Sequence, residues 1–362
     1  MKYLYPLSLV LLLIVSCGKD DEKIIDREKS DWAFYKLAGD VKTVSEKSYA
    51  TADGKQKGPT KQEMPSNHDR DFEFNDEGML VREKTWASEG VPFEEIKYQN
   101  RESKLSHTQF VSGAPSLVTQ YAWDEKGKNN LSVTRRNANN TPFDRIVMKY
   151  KKDRLIEKIT YNAQENPTNK ITYFYDQKGN VTGENFYYSS DVLQFKTNYT
   201  YNDKNQKVAE THYNKDGKVD YKTTYTYSGD KVVATETTNA AGDVSYIEKS
   251  AYDKDGNMVS NYTFDKFDGQ HMRDEFKYDS KGNKTEWNVY KGDQLTMKAV
   301  YTFDKYGNPV KSMTTDAEGN VLESKAYKYE YDNQGNWVKR VLYLSNRPEI
   351  ITERKITYHA EE

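Results

Sequence analysis

The chain reads as an all-β protein, an antiparallel β-meander of about two dozen short strands built from ~26-residue repeats. Three observations predict this. An aromatic residue followed by a polar turn recurs every 24 to 28 residues along most of the 362-residue sequence. Ahead of each turn, aromatic and β-branched residues alternate with polar ones, the mark of a half-buried strand. The composition is apolar-poor (35% hydrophobic, mean hydropathy −1.01) yet holds 30 tyrosines, which suits thin sheets with one packed and one wet face.

The clearest repeats are Tyr175-Asp176-Gln177-Lys178-Gly179-Asn180, Tyr252-Asp253-Lys254-Asp255-Gly256-Asn257 and Tyr278-Asp279-Ser280-Lys281-Gly282-Asn283. Phe303 and Tyr331 open two more, and weaker copies begin at Phe74, Tyr98, Trp123, Tyr150, Tyr201 and Tyr227. A last copy is cut short at Tyr358, and Tyr49 marks a candidate for one more. Ile171, Tyr173 and Tyr175 share a face, as do Thr197, Tyr199, Tyr201 and Thr223, Tyr225, Tyr227. Second turns such as Asn214-Lys215-Asp216-Gly217 and Asp316-Ala317-Glu318-Gly319 fall midway, so one unit is two strands and two tight turns. Connections this short allow only antiparallel pairing.

Sheets of more than about ten strands curl, split or close under their own twist. The expectation here is a long coiled or spiral sheet with blunted ends. Asp31 to Leu37, with Trp32, Phe34, Tyr35 and Leu37, is the expected cap at the amino end, and Ala360-Glu361-Glu362 at the other. The organisation is residues 1–16 as export signal, 17–30 as lipidated tether, 31–73 as cap and first strands, and 74–362 as repeat array.

The Tyr-Asp-x-x-Gly-Asn turn behind a Tyr-x-Tyr strand resembles the YD repeat of the Rhs family over residues 74 to 358. The resemblance implies a spiral β-sheet shell. The repeats run to within four residues of the end of this sequence, so the toxin domain of large Rhs proteins is not expected.

At the amino terminus, Lys2 precedes the apolar run Leu7 to Val15 and the small residue Ser16. That run is about half the ~20 residues a spanning helix needs, which makes it an export signal. Ile14-Val15-Ser16-Cys17 resembles the lipobox of bacterial lipoproteins, which implies cleavage before Cys17 and lipid on its sulfur. Cys17 is the only cysteine, which excludes an intramolecular disulfide. Lys19-Asp20-Asp21-Glu22 resembles the acidic surface-export signal of Bacteroidetes lipoproteins. The expected location is the outer membrane, at the cell surface, with the periplasmic face as the alternative.

A net charge of −2 gives no basic stripe for nucleic acid. The Asp-x-x-Gly-Asn turns read as carboxylate-capped turns with glycine at positive φ, ahead of a calcium reading. His68, His107, His212, His271 and His359 lack metal-ligand spacing, and most are expected at exposed strand or loop positions. No motif for nucleophilic, metal or phosphate chemistry is present, so no catalytic, cofactor or metal residue is assigned. Most tyrosines are expected to hold the sheet together. Trp86, Trp123, Trp287 and Trp337 depart from the tyrosine rule and are the candidate binding residues. Two functions follow as expectations. One is a non-enzymatic envelope scaffold that binds a glycan, a peptide or an outer-membrane protein. The other is a structural Rhs-like shell element, or a toxin-free component of contact-dependent competition.

Overall fold

A computed structural model describes residues 27–61, 69–189 and 191–360, and every structural statement below concerns these. The export signal, Cys17 and His68 lie outside them. A 3-10 turn at Arg27–Lys29 leads into α1, one helical turn at Asp31–Phe34. The first strands are β1 (Val41–Ala50), β2 (Asp69–Phe74), β3 (Leu80–Ser88), β4 (Val91–Asn100), β5 (Ser103–Val111), β6 (Ala114–Trp123), β7 (Asn130–Asn137) and β8 (Pro142–Lys151). There follow β9 (Arg154–Asn162), β10 (Pro167–Tyr175), β11 (Val181–Tyr188), β12 (Val192–Tyr201), β13 (Lys207–Asn214), β14 (Val219–Ser228), β15 (Lys231–Asn239) and β16 (Val244–Tyr252). The last are β17 (Met258–Asp265), β18 (Gln270–Tyr278), β19 (Lys284–Lys291), β20 (Gln294–Phe303), β21 (Pro309–Asp316), β22 (Val321–Tyr331), β23 (Trp337–Leu344) and β24 (Arg347–Tyr358).

Each strand pairs antiparallel with the next, and β1 pairs antiparallel with β24 along its length, from Val41↔Tyr358 to Ala50↔Ile350. The meander therefore closes into a barrel of 24 strands. Every even strand ends on a repeat anchor or within two residues after one, and the following odd strand completes its unit. For the anchor Tyr358, that partner is β1. The unit that the sequence leaves unfinished is completed by the other end of the chain. At this junction His359 N–H donates to the Asp40 carbonyl at 2.8 Å, and Gly39 at φ +70 lets the backbone approach the Tyr358 ring. An even strand number is what lets first and last strands meet antiparallel.

Closure removes the need for caps, because no edge is left bare. β24 has no edge for a carboxyl-terminal cap to blunt, and Glu361 and Glu362 lie outside the described residues. Tyr49 is not an anchor, since it lies in an odd strand that runs away from the anchor turns. Phe34 departs from the expected cap: its side chain is 62% exposed and carries the Arg101 guanidinium 4.0 Å from its ring centroid.

The turns behave as their composition requires. In Asp176–Asn180 the aspartate Oδ1 accepts the Asn180 backbone N–H at 2.8 Å and Oδ2 accepts the Asn180 amide at 2.8 Å, while Gly179 sits at φ +99. Asp253, Asp279 and Asp316 repeat the arrangement. These bonds hold each of the four carboxyls below its ordinary pKa. The weaker copy at Tyr201 has Asn205 in the left-handed position, the residue after glycine best suited to it.

The anchors themselves are staples. The hydroxyls of Tyr150, Tyr175, Tyr201, Tyr227, Tyr252 and Tyr278 each donate to the backbone carbonyl 20 residues earlier, on the start of the preceding strand. The indole N–H of Trp123 does the same to Lys104 at 2.8 Å. The opposite face carries a second tyrosine row. There Arg145, Lys170, Lys196, Arg273 and Lys328 lie over Tyr161, Tyr187, Tyr213, Tyr290 and Tyr343 at 3.9 to 5.0 Å. Cross-strand pairs of this kind stabilise a sheet by roughly 0.2–1 kcal/mol each.

Between β5 and β22 the only buried large apolar or aliphatic side chain is Ala299, so neither face of that stretch is covered by a second layer. The core sits instead where the ring meets itself. Trp32, Leu37, Val41, Val44, Phe72, Phe74, Leu80, Ile96 and Tyr98 form one buried cluster on the tyrosine face, with Tyr35, Ile356 and Tyr358 packed against it.

Candidate binding site at the seam

The core lies where the ladder is thinnest. Along β1 only Thr43–Ser45 pair with β2, at Asp71–Glu73. Beyond them the Ser48 N–H is taken by the Asp69 carboxylate at 3.1 Å instead of a backbone carbonyl. The amino-terminal segment reinforces this joint. The Asp31 carboxylate accepts the Leu80 N–H at 2.7 Å and pairs with Arg101 at 2.9 Å. The Trp32 indole N–H donates to Val41 at 2.8 Å, and its ring lies against Gly78, where a methyl group would come within 2.4 Å.

Two cavities flank this seam, on opposite faces. The first, about 350 Å³, lies beside the β1–β2 joint and is lined by Trp86, Tyr49, Lys47, Asp69, Asp71 and Glu89 among others. The Trp86 indole N–H donates to Asp71 at 2.8 Å, and Lys84 lies 4.1 Å over the ring. The second cavity, about 370 Å³, lies on the anchor-turn rim. The chain arm from Tyr35 to Ala38 forms one wall, and Tyr306, Asn308, Gln334, Trp337 and Arg354 form the other. Asn336 holds the arm in place: its side-chain oxygen accepts from Ala38 N–H at 2.8 Å and its amide donates to the Ala38 carbonyl at 2.7 Å. Arg354 lies over Trp337, 3.5 Å from the ring centroid, and pairs with Glu46 at 2.6 Å. Burial pulls this guanidinium below its ordinary pKa, and Glu46 works against that pull. Both volumes fall in the usual range for small-ligand sites.

Of the four tryptophans singled out from the sequence, the fold brings Trp86 and Trp337 to the seam, each into a cavity. Trp123 is a staple. Trp287 packs on Phe276 and donates to Asp274 at 2.6 Å, part of the sheet's own cross-strand bonding. Two histidines differ from the expected exposure, while His271 is exposed on β18. His107 pairs with Glu94 at 2.9 Å, and His212 stacks between Phe195 and Tyr221, each half-buried in the tyrosine face. His271 stacks on Phe264. Tyr35 and Arg354 were not singled out from the sequence. Tyr35 was read as capping, and Arg354 had no signal, because its partners Trp337 and Glu46 come from the two ends of the chain.

Both walls of the barrel are charged at mid-strand. The tyrosine face carries Arg135 paired with Asp144, the Lys207–Glu210 pair and the Tyr98–Glu83 hydrogen bond. The other face carries Arg82–Glu95, Lys149–Glu157 and Lys277–Glu286. A lipid-spanning barrel needs an outward apolar band ~25 Å tall, and neither wall provides one. No helix among the described residues is long and apolar enough to cross a membrane.

No family model matches this chain, and no curated protein matches it. Among solved structures it resembles TcdB2-TccC3 without its hypervariable C-terminal region, at 13% identity over 79% of this chain, with a TM-score of 0.27. This chain spans 19% of the length of that one. It also resembles two porin-like proteins. One is from Bacteroides uniformis (12% identity, 59% of this chain and 96% of that one, TM-score 0.25). The other is from Bacteroides vulgatus (10% identity, 89% and 99%, TM-score 0.17). The likeness is one of large β-structures and assigns no family.

Proposed function

We propose that this chain is a non-enzymatic lipoprotein of the outer membrane that holds a closed β-ring at the cell surface and binds a glycan at its seam. The lipobox at Cys17 and the charged stretch after it support the location. The charged walls fit a ring tethered beside a membrane better than one embedded in it. The observation that carries the binding assignment is the exposed Tyr306 ring beside Gln334 in one cavity, backed by the Arg354-covered Trp337 and the core-packed Tyr35. Aromatic faces stack on sugar rings while amides and cations take the hydroxyls. A structural shell element is the weaker reading, because a ring that pairs its own ends has no edge to extend into a wall.

A glycan array probed with the full chain, alongside a pull-down from outer membranes, tests this. Retention on a defined set of glycans is expected. Capture of one membrane protein with no glycan signal would replace the reading with a protein partner, and silence in both would remove it.

A further inference from the structure

We infer that the Trp337 cavity takes a carboxylate-bearing sugar unit, which rests on the glycan reading and narrows its ligand class. The two seam cavities are sorted by charge although the chain as a whole stands at −2. The Trp86 cavity presents Asp69, Asp71 and Glu89 against Lys47 alone, the Glu46 carboxylate being turned to Arg354 on the other face. The Trp337 cavity is lined by Lys36 and Arg354, with no carboxylate among its lining residues.

The nearby acids already have partners. Asp304 accepts the Tyr331 hydroxyl and the Asn308 N–H within its own turn. Asp332 accepts the Tyr358 hydroxyl at 2.5 Å and the Asn336 N–H at 2.8 Å. Glu46 takes Nε and Nη2 of Arg354 and so orients the guanidinium against Trp337. Lys36 adds a second positive charge from the facing arm. Between them, Tyr306 is 43% exposed and offers a ring and Gln334 offers an amide, while the Asn308 amide already donates to Asp304 and to the Tyr331 hydroxyl. This is the chemistry of a sugar with a carboxylate: the Tyr306 ring to stack on, the Gln334 amide for hydroxyls, and the Lys36 ammonium for the acid, beside an Arg354 already paired with Glu46.

The cavity is also built from both chain ends, Lys36 on the arm and Arg354 on β24. A ligand that bridges them binds only the closed ring, and so raises its melting temperature by mass action.

The test is calorimetric titration of the full chain with an oligosaccharide of glucuronic acid and with a glucose oligosaccharide of the same length and linkage. The acidic probe is expected to bind about tenfold tighter or better, and Lys36→Glu to remove about that factor for the acidic probe only. Lys36→Arg should keep it, and Tyr306→Ala should weaken both probes. Melting curves of each variant establish that the ring is intact. Equal affinities with no effect of Lys36→Glu would overturn the acidic assignment and leave glycan binding standing. Failure of both probes would overturn it too, and the array then decides separately whether any glycan is bound.

Discussion

Removing β24 by ending the chain after Leu344 is expected to abolish the cooperative fold. The deletion strips partners from two strands at once. β1 loses its pairing from Val41 to Ala50, and β23 loses its pairing from Lys339 to Leu344. It also takes away Ile350 and Ile351, both buried, and the Arg354–Glu46 pair. Two long edges then stand open, and an unpaired edge is a template for association with another chain. Size-exclusion chromatography and thermal circular dichroism check this. The expected outcome is aggregation or a broad, low melt. A monomer with an unchanged midpoint would mean that β24 contributes nothing to closure.

Trp32→Ala is expected to cost about 3–5 kcal/mol, a large share of the 5–15 kcal/mol that holds a typical domain. Trp32 is fully buried, and its removal leaves a cavity and an unpaired Val41 carbonyl in the single core cluster of the described residues. Little else is positioned to compensate, because the array from β5 to β22 has almost no buried core. The damage should appear first at the thin joint. Hydrogen exchange is expected to show lost protection at Thr43–Ser45 and Asp71–Glu73 before the distant strands β12 to β18. Gly78→Ala should act in the same direction, since its φ is +76 and the added methyl collides with the Trp32 ring. Uniform loss of protection around the ring, or none, would place the weak joint elsewhere.

Much of the fold was legible in the sequence because each anchor acts locally. Tyr175, Asp176, Gly179 and Asn180 are neighbours in sequence, and their hydrogen bonds close within one turn. The period and the strand number followed from that. Closure was not legible, because it depends on β1, where Val41–Ala50 carries no Tyr-x-Tyr pattern to mark it as the missing half of a unit. The one trace was the copy cut short at Tyr358, which reads as an ending until β1 is placed beside it. The second tyrosine row was missed for another reason. Its partners, such as Lys170 and Tyr187, sit on adjacent strands at the opposite phase of the alternation, among 54 lysines and arginines. Trp86 and Trp337 were visible as departures from the tyrosine rule. Their meaning was not, since β3 and β23 become near neighbours only when the ring closes.

Closure is also the central claim, and a cross-link across the seam tests it most directly. Thr43 and Thr357 are register partners whose hydroxyls meet although 314 residues separate them. Register partners in an antiparallel pair have the Cα spacing that a disulfide requires. In a chain with Cys17 replaced by serine, Thr43→Cys with Thr357→Cys should oxidise to an intramolecular disulfide. The product would be a covalently closed monomer that runs faster on a non-reducing gel than its reduced form. If both cysteines stay reduced under oxidising conditions, or bond only between chains, the ring described here is not the structure of this protein.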